Sequence, residues 1–246
     1  QGIGKAAAIE LALLGANVIL MARNEEKLKN AVAELDRSKG QSHTFISADF
    51  TDAENLKKKI ETYLKEHQPI QILINNTGGP PAGPALAAPV SEFLQAFNNH
   101  LVCNHTLVQA LVPGMKTSNY GRIINVISTS VKQPIPGLGV SNTIRAAVGN
   151  WSKTLATELA PFGITVNNVL PGAANTVRLQ SIFENKAKKS SKSVEAVKHE
   201  MVAEIPAGRI AEPNEVANAI AFLASPAASY ITGINVPVDG GRTLSL

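Results

Sequence analysis

Cysteine, aromatic side chains and long apolar runs are all scarce in this chain, and each shortage removes a class of explanation. Cys103 is the single thiol, so an internal disulfide is excluded and a reducing, cytoplasmic compartment is expected. The Asn-x-Thr triplets at Asn75 and Asn104 are then chance matches rather than glycan acceptors. Aromatics make up 4% of residues, and none punctuates the lysine clusters. Nucleic acid therefore lacks the stacking platforms it would need. No apolar run reaches the length of a membrane span, and no charged-plus-apolar leader is visible.

What is present suits one compact domain over residues 1–246, with 44% hydrophobic and 17% charged residues. The net charge is +4, and the lysines gather at Lys57, Lys58 and Lys59 and again from Lys186 to Lys198. Two readings stay open for them: solvated helix faces, or a basic rim that attracts a phosphorylated cofactor or an acidic carrier.

Strand and helix patterns alternate along the whole chain. Helical spacing is expected over 4–15, 25–40, 54–67, 91–115, from about Asn142 to Leu159, over the charged segment 177–204, and over 213–225. Short, nearly continuous apolar runs at 17–22, 43–50, 70–76, 121–128, 164–170 and 235–241 have the character of strands buried on both faces. Such alternation specifies βαβ units, and hence an α/β, Rossmann-type doubly wound parallel sheet in three αβα layers. The chain opens on a glycine turn leading straight into a helix. A βαβ unit calls for a strand before that turn, so truncation of the natural chain and a complete sheet of seven strands are expected.

Gly2, Ile3 and Gly4 open the first helix. Bare N–H groups at a helix N-terminus, next to glycines that admit close approach, make an anion site. Polar or glycine-rich turns follow five strands, at 22–24, 49–50, 75–78, 128–130 and 171–172, on the edge where open α/β sheets bind ligands.

This ensemble resembles the short-chain dehydrogenase/reductase family, in its branch similar to 3-oxoacyl-(acyl carrier protein) reductases. The resemblance is carried by QGIG at 1–4, NNTG at 75–78, Pro171-Gly172 with Thr176, and the stretch IPAGRIAEPNEVANAIAFLASPAASYITGINVPVDGG at 205–241. It implies that Gly2, Ile3 and Gly4 hold a pyrophosphate, Asp49 and Phe50 an adenine, and Asn76, Thr77 and Gly78 the ribose region. Pro171, Gly172 and Thr176 would lie at the nicotinamide end. It also implies a homotetramer or homodimer, a carbonyl substrate that is small or carrier-bound, and a substrate lid over 177–204. At the end of the second family strand stands Ala22, with Arg23 next. A cation there, with no carboxylate, favours a 2′-phosphate, so NADP(H) is expected over NAD(H).

In the family a serine polarises the substrate carbonyl, a tyrosine thirteen residues on donates the proton, and a lysine four further on holds the nicotinamide ribose. An asparagine on the preceding long helix supports a relay water. Here Ser128 fills the first position, while Ser141, Arg145 and His100 occupy the other three. A phenol titrates near 10 and an alkyl hydroxyl close to water at about 15.7. At about 1.4 kcal/mol per unit, Ser141 falls short of a tyrosine by roughly 8 kcal/mol of proton-donating ability. Ser141 can equally be an N-cap for a helix beginning at Asn142. Arg145 stays charged and is no acid, but it suits ribose hydroxyls. His100 is the leading alternative donor, and Lys132 a weaker one. Tyr63, Tyr120 and Tyr230 are expected away from the nicotinamide. Two functions follow: a reductase with an unfamiliar proton donor, or a catalytically silent NADP(H)-binding protein.

Overall fold

The computed structural model describes residues 1–245, and every strand pairing in it is parallel. The order along the chain is α1 (Gly2–Leu13), β1 (Ile19–Ala22), α2 (Glu25–Ala33), β2 (Thr44–Ser47), α3 (Ala53–Glu66) and β3 (Ile72–Asn75). There follow α4 (Val90–Phe97), α5 (Cys103–Thr117), β4 (Gly121–Val126), α6 (Gly139–Leu159) and β5 (Ile164–Pro171). The chain closes with α7 (Val177–Ser190), α8 (Val194–Ala203), α9 (Pro213–Ala224) and β6 (Asn235–Val238).

Side-chain alternation in the central strands divides the core into two layers. On β4, Ile124 and Val126 join Ala7, Leu11, Val216 and Ile220 of α1 and α9. Ile123, one residue out of phase, packs with Leu56 and Ile60 of α3, Leu107 and Leu111 of α5 and Leu155 of α6. β4 is buried along its whole length, as expected of a strand covered by helices on both faces. The doubly wound α/β architecture expected from the sequence is therefore present.

The sheet is divided, however. β1 pairs with β2 alone, while β3, β4, β5 and β6 form a second sheet in that order. The unpaired edges of β1 and β3 both border one open cleft. Asparagines stand in register across the second sheet: Asn75 beside Asn125, Asn125 beside Asn168, and Asn168 beside Asn235. Their amides form a ladder, with Nδ2 to Oδ1 distances of 2.9, 3.1 and 2.8 Å. It ends at the open edge of β3, where Asn75 Oδ1 is buried without a partner among the described residues.

Several boundaries differ from the sequence expectation. α2 stops at Ala33 rather than running to Gly40. The helix expected over 91–115 is interrupted by a π turn at Asn98–Val102, which carries His100. α6 begins at Gly139, so Ser141 lies inside its first turn and is not its N-cap; Leu138 holds that position. The cause is tertiary: the main chain of Gly83 bonds to both Gly137 O and Gly139 N, at 2.7 and 2.9 Å, and pins the helix start.

Candidate active site

The glycine turn, the end of β3 and the start of α7 converge. Gly2 has φ +57°, which disfavours any side chain. A Cβ there would lie 3.3 Å from Thr176 Cγ2, and one on Gly4 only 2.7 Å from Asn76 Nδ2. Gln1 makes no side-chain cap bond, so the first N–H groups of α1 keep their hydrogen-bonding capacity. The result is a cradle whose floor is main chain, with the positive end of a helix beneath it; it fits a diphosphate. Thr176 caps α7 by accepting from Leu179 N at 3.2 Å.

Arg23 is exposed directly after β1, and its carbonyl accepts a hydrogen bond from Ser47 Oγ. Asp49 lies exposed just past β2 and accepts from Thr51 N at 2.9 Å; that main-chain N–H is the main cause holding its carboxyl below the usual range. The Phe50 carbonyl accepts from Cys103 Sγ. The residues that the sequence assigned to cofactor or chemistry border the same cleft, except the weaker donor candidate Lys132.

At the other end of the cleft, Ser128 follows β4. Its Oγ accepts from Ser130 N at 3.1 Å, which leaves the hydroxyl hydrogen available to a ligand. Arg145 sits one turn beyond Ser141 and is buried; Nη1 donates to Val126 O at 3.0 Å and Nη2 to Thr77 O at 3.5 Å. Burial, then the charge of Arg178, draws its pKa down to about 10, so it remains a cation at neutral pH.

His100 lies on the π turn and borders the cleft. It is 2% exposed, with Nδ1 2.5 Å from Thr77 Oγ1. Burial, then the cations Arg145 and Arg178, push its pKa down to about 3. These causes favour the neutral imidazole near pH 7, which weighs against His100 as a titrating general acid.

Arg178 escaped the sequence reading. It is in the first turn of α7, two residues past Thr176, and its Nη2 donates to Pro80 O at 2.6 Å. A Cβ built on Gly79 would lie 3.3 Å from Arg178 Nη2 and 3.8 Å from Arg145 Nη2, so the two guanidinium groups approach the same glycine. The available signal was a cation just beyond a strand-end motif. Of the tyrosines, Tyr63 stacks on His67, Tyr120 donates to Ala224 O, and Tyr230 is fully exposed.

Among the described residues, no group of three His, Cys, Asp or Glu side chains could hold a metal ion, and no helix is long and apolar enough to cross a membrane. Lys186 and Lys192 both pair with Glu200, so part of the second lysine cluster is compensated locally.

A doubly wound parallel sheet with a helix-terminus cradle at the C-terminal ends of its strands defines a dinucleotide-binding class of α/β protein. A family model described as Enoyl-(Acyl carrier protein) reductase matches residues 1–243. With that match across nearly its whole length, the chain belongs to the short-chain dehydrogenase/reductase family. It is 33% identical to a 3-oxoacyl-[acyl-carrier-protein] reductase of Haemophilus influenzae, covering 100% of this chain and 95% of that one. To an NADPH-dependent reductase of Bacillus subtilis it is 30% identical, with the same coverage. L-sorbose reductase from Gluconobacter frateurii, solved with NADPH and L-sorbose, superposes with a TM-score of 0.92 at 29% identity, over 100% of this chain and 94% of the other.

Proposed function

We propose that the protein is an NADP(H)-dependent oxidoreductase of a carbonyl/alcohol pair, similar to the 3-oxoacyl-carrier reductases and working without the family's tyrosine and lysine. The observation that carries this reading is the convergence of Gly2, Gly4, Asn76 and Thr176 into one main-chain cradle. Arg23, with no carboxylate at the end of β1, supports NADP(H) over NAD(H), as do the relatives that use NADPH.

When bound, NADPH supplies a hydride. Asp49 and Phe50 would hold the adenine, Gly2, Ile3 and Gly4 the diphosphate, Asn76, Thr77 and Gly78 the ribose region, and Pro171, Gly172 and Thr176 the nicotinamide end. Ser128 donates its free hydroxyl hydrogen to the substrate carbonyl oxygen. Arg145 places a fixed positive charge in a site of low polarity, which favours negative charge developing on that oxygen. Solvent supplies the proton by way of the Ser141 hydroxyl, because His100 is neutral and Arg145 holds its own. Residues 177–204 form the substrate lid, and the buried, single Cys103 suits a reducing cytoplasm.

The test is titration with NADPH and NADH by nicotinamide fluorescence, followed by a broad carbonyl panel in the same cuvette. NADPH binding with turnover is expected. Binding without turnover across the panel overturns the enzyme and leaves the silent NADP(H)-binding protein. One observation favours that second reading: no group of the family's acid strength stands at Ser141 or His100.

A further inference from the structure

Two arginines approach the reactive end of the cleft. Arg145 is buried, and its recorded acceptors are two main-chain carbonyls. Arg178 reaches over from α7, with a single recorded bond to Pro80 O. Both guanidinium groups border Gly79. Among the described residues, neither arginine has a carboxylate within ion-pair distance, although both Arg209 and Arg242 elsewhere in the chain have one. The charge of Arg178 contributes to the lowered pKa values of Arg145 and His100.

A buried guanidinium beside a second one, with no counter-charge, is expensive to keep. The cost falls once an anion enters, because charge-assisted hydrogen bonds from two forks meet a planar, two-oxygen group well. The absence of a side chain at Gly79 leaves room beside both forks.

We propose that Arg145 and Arg178 together form a subsite for an anionic group of the substrate, a carboxylate near the reacting carbon. This rests on the reductase reading above and narrows its substrates to oxo acids. The cofactor's own phosphates are the other source of such an anion. The diphosphate is accounted for by the Gly2–Gly4 cradle and a 2′-phosphate by Arg23, which leaves this pair to the substrate.

The experiment compares benzoylformate with its neutral amide, each titrated calorimetrically into the protein saturated with NADP+, so that binding is read without turnover. The acid is expected to bind at least about tenfold tighter than the amide. Arg178→Gln should bring the two within about twofold of each other, Arg178→Lys should keep part of the preference, and NADP+ affinity in Arg178→Gln should change by less than about threefold. A ratio within one variant is insensitive to a general loss of folded protein. Equal binding of acid and amide, no measurable binding of the acid at millimolar concentration, or a preference that survives Arg178→Gln would overturn the proposal. So would a collapse of NADP+ affinity in that variant, which would assign the arginines to the cofactor. If NADP+ does not bind the parent at all, the reductase reading fails on its own; the same acid–amide comparison on the protein alone still decides the subsite.

Discussion

The two ends of the cleft treat one family pattern in opposite ways. At the cradle the motif residues remain, and the coordinates show why they are hard to change: Gly2 has a positive φ, and Gly4 lies against the Asn76 amide. At the reactive end, in the proposed reading, the spacing is kept and the residues are replaced, with Ser141, Arg145 and His100 at the positions matched to the family's tyrosine, lysine and asparagine. A helix turn fixes where a side chain starts, but not what the side chain does. The lesson is that spacing reports architecture, while chemistry must be read from the group itself and its neighbours.

The contrast can be broken most forcefully at Gly4. A branched side chain there must displace Asn76, so Gly4→Val should lower NADPH affinity by about a hundredfold or more, measured by nicotinamide fluorescence. Retained affinity would mean that the turn is not the phosphate site. Next is Arg145→Met, which removes a buried cation while keeping comparable volume. Turnover of whichever carbonyl proves active should drop by about thirtyfold. Stability toward urea should hold or rise, by about 1–3 kcal/mol, since the lone charge is costly to bury. A mutant that loses stability in step with activity would show Arg145 to be chiefly a structural tie between β3 and β4.

Arg23→Glu should then shift the NADPH-to-NADH affinity ratio by about tenfold toward NADH, as the charge facing a 2′-phosphate reverses. An unchanged ratio would separate Arg23 from cofactor choice.

At neutral pH the smallest effect belongs to His100, whose influence grows only on acidification. Its pKa is lowered from 6.5 to about 3 in the folded chain, so the unfolded chain takes up that proton first on acidification. The stability tied to its neutrality is complete above pH 6.5 and is lost as pH falls toward 3, at up to about 1.4 kcal/mol per pH unit. Urea midpoints across that window should flatten in His100→Gln, and activity in the parent should show no step near 6.5 attributable to this residue. A kinetic step that vanishes in His100→Gln would return it to acid–base work.

Much of the fold was open to sequence reading because it rests on local periodicity: short apolar runs such as 121–128 and helices of even spacing leave few alternatives. What resisted depends on partners far along the chain. The start of α6 is set by Gly83, more than fifty residues earlier, rather than by a cap at Ser141. The π turn at Asn98–Val102 leaves no mark in hydrophobic spacing. The neutrality of His100 follows from a burial and two cations that only the folded chain assembles, and Arg178 looked like one more charge in a basic segment. The amide ladder could not be found from single strands, because each rung joins residues from different strands.

The amide ladder has a practical side. Asn125 accepts from Asn75 and donates to Asn168 in the buried interior. A change at that one position therefore strands polar groups on both neighbouring strands, so β3, β4 and β5 are held in step from within as well as along their main chains.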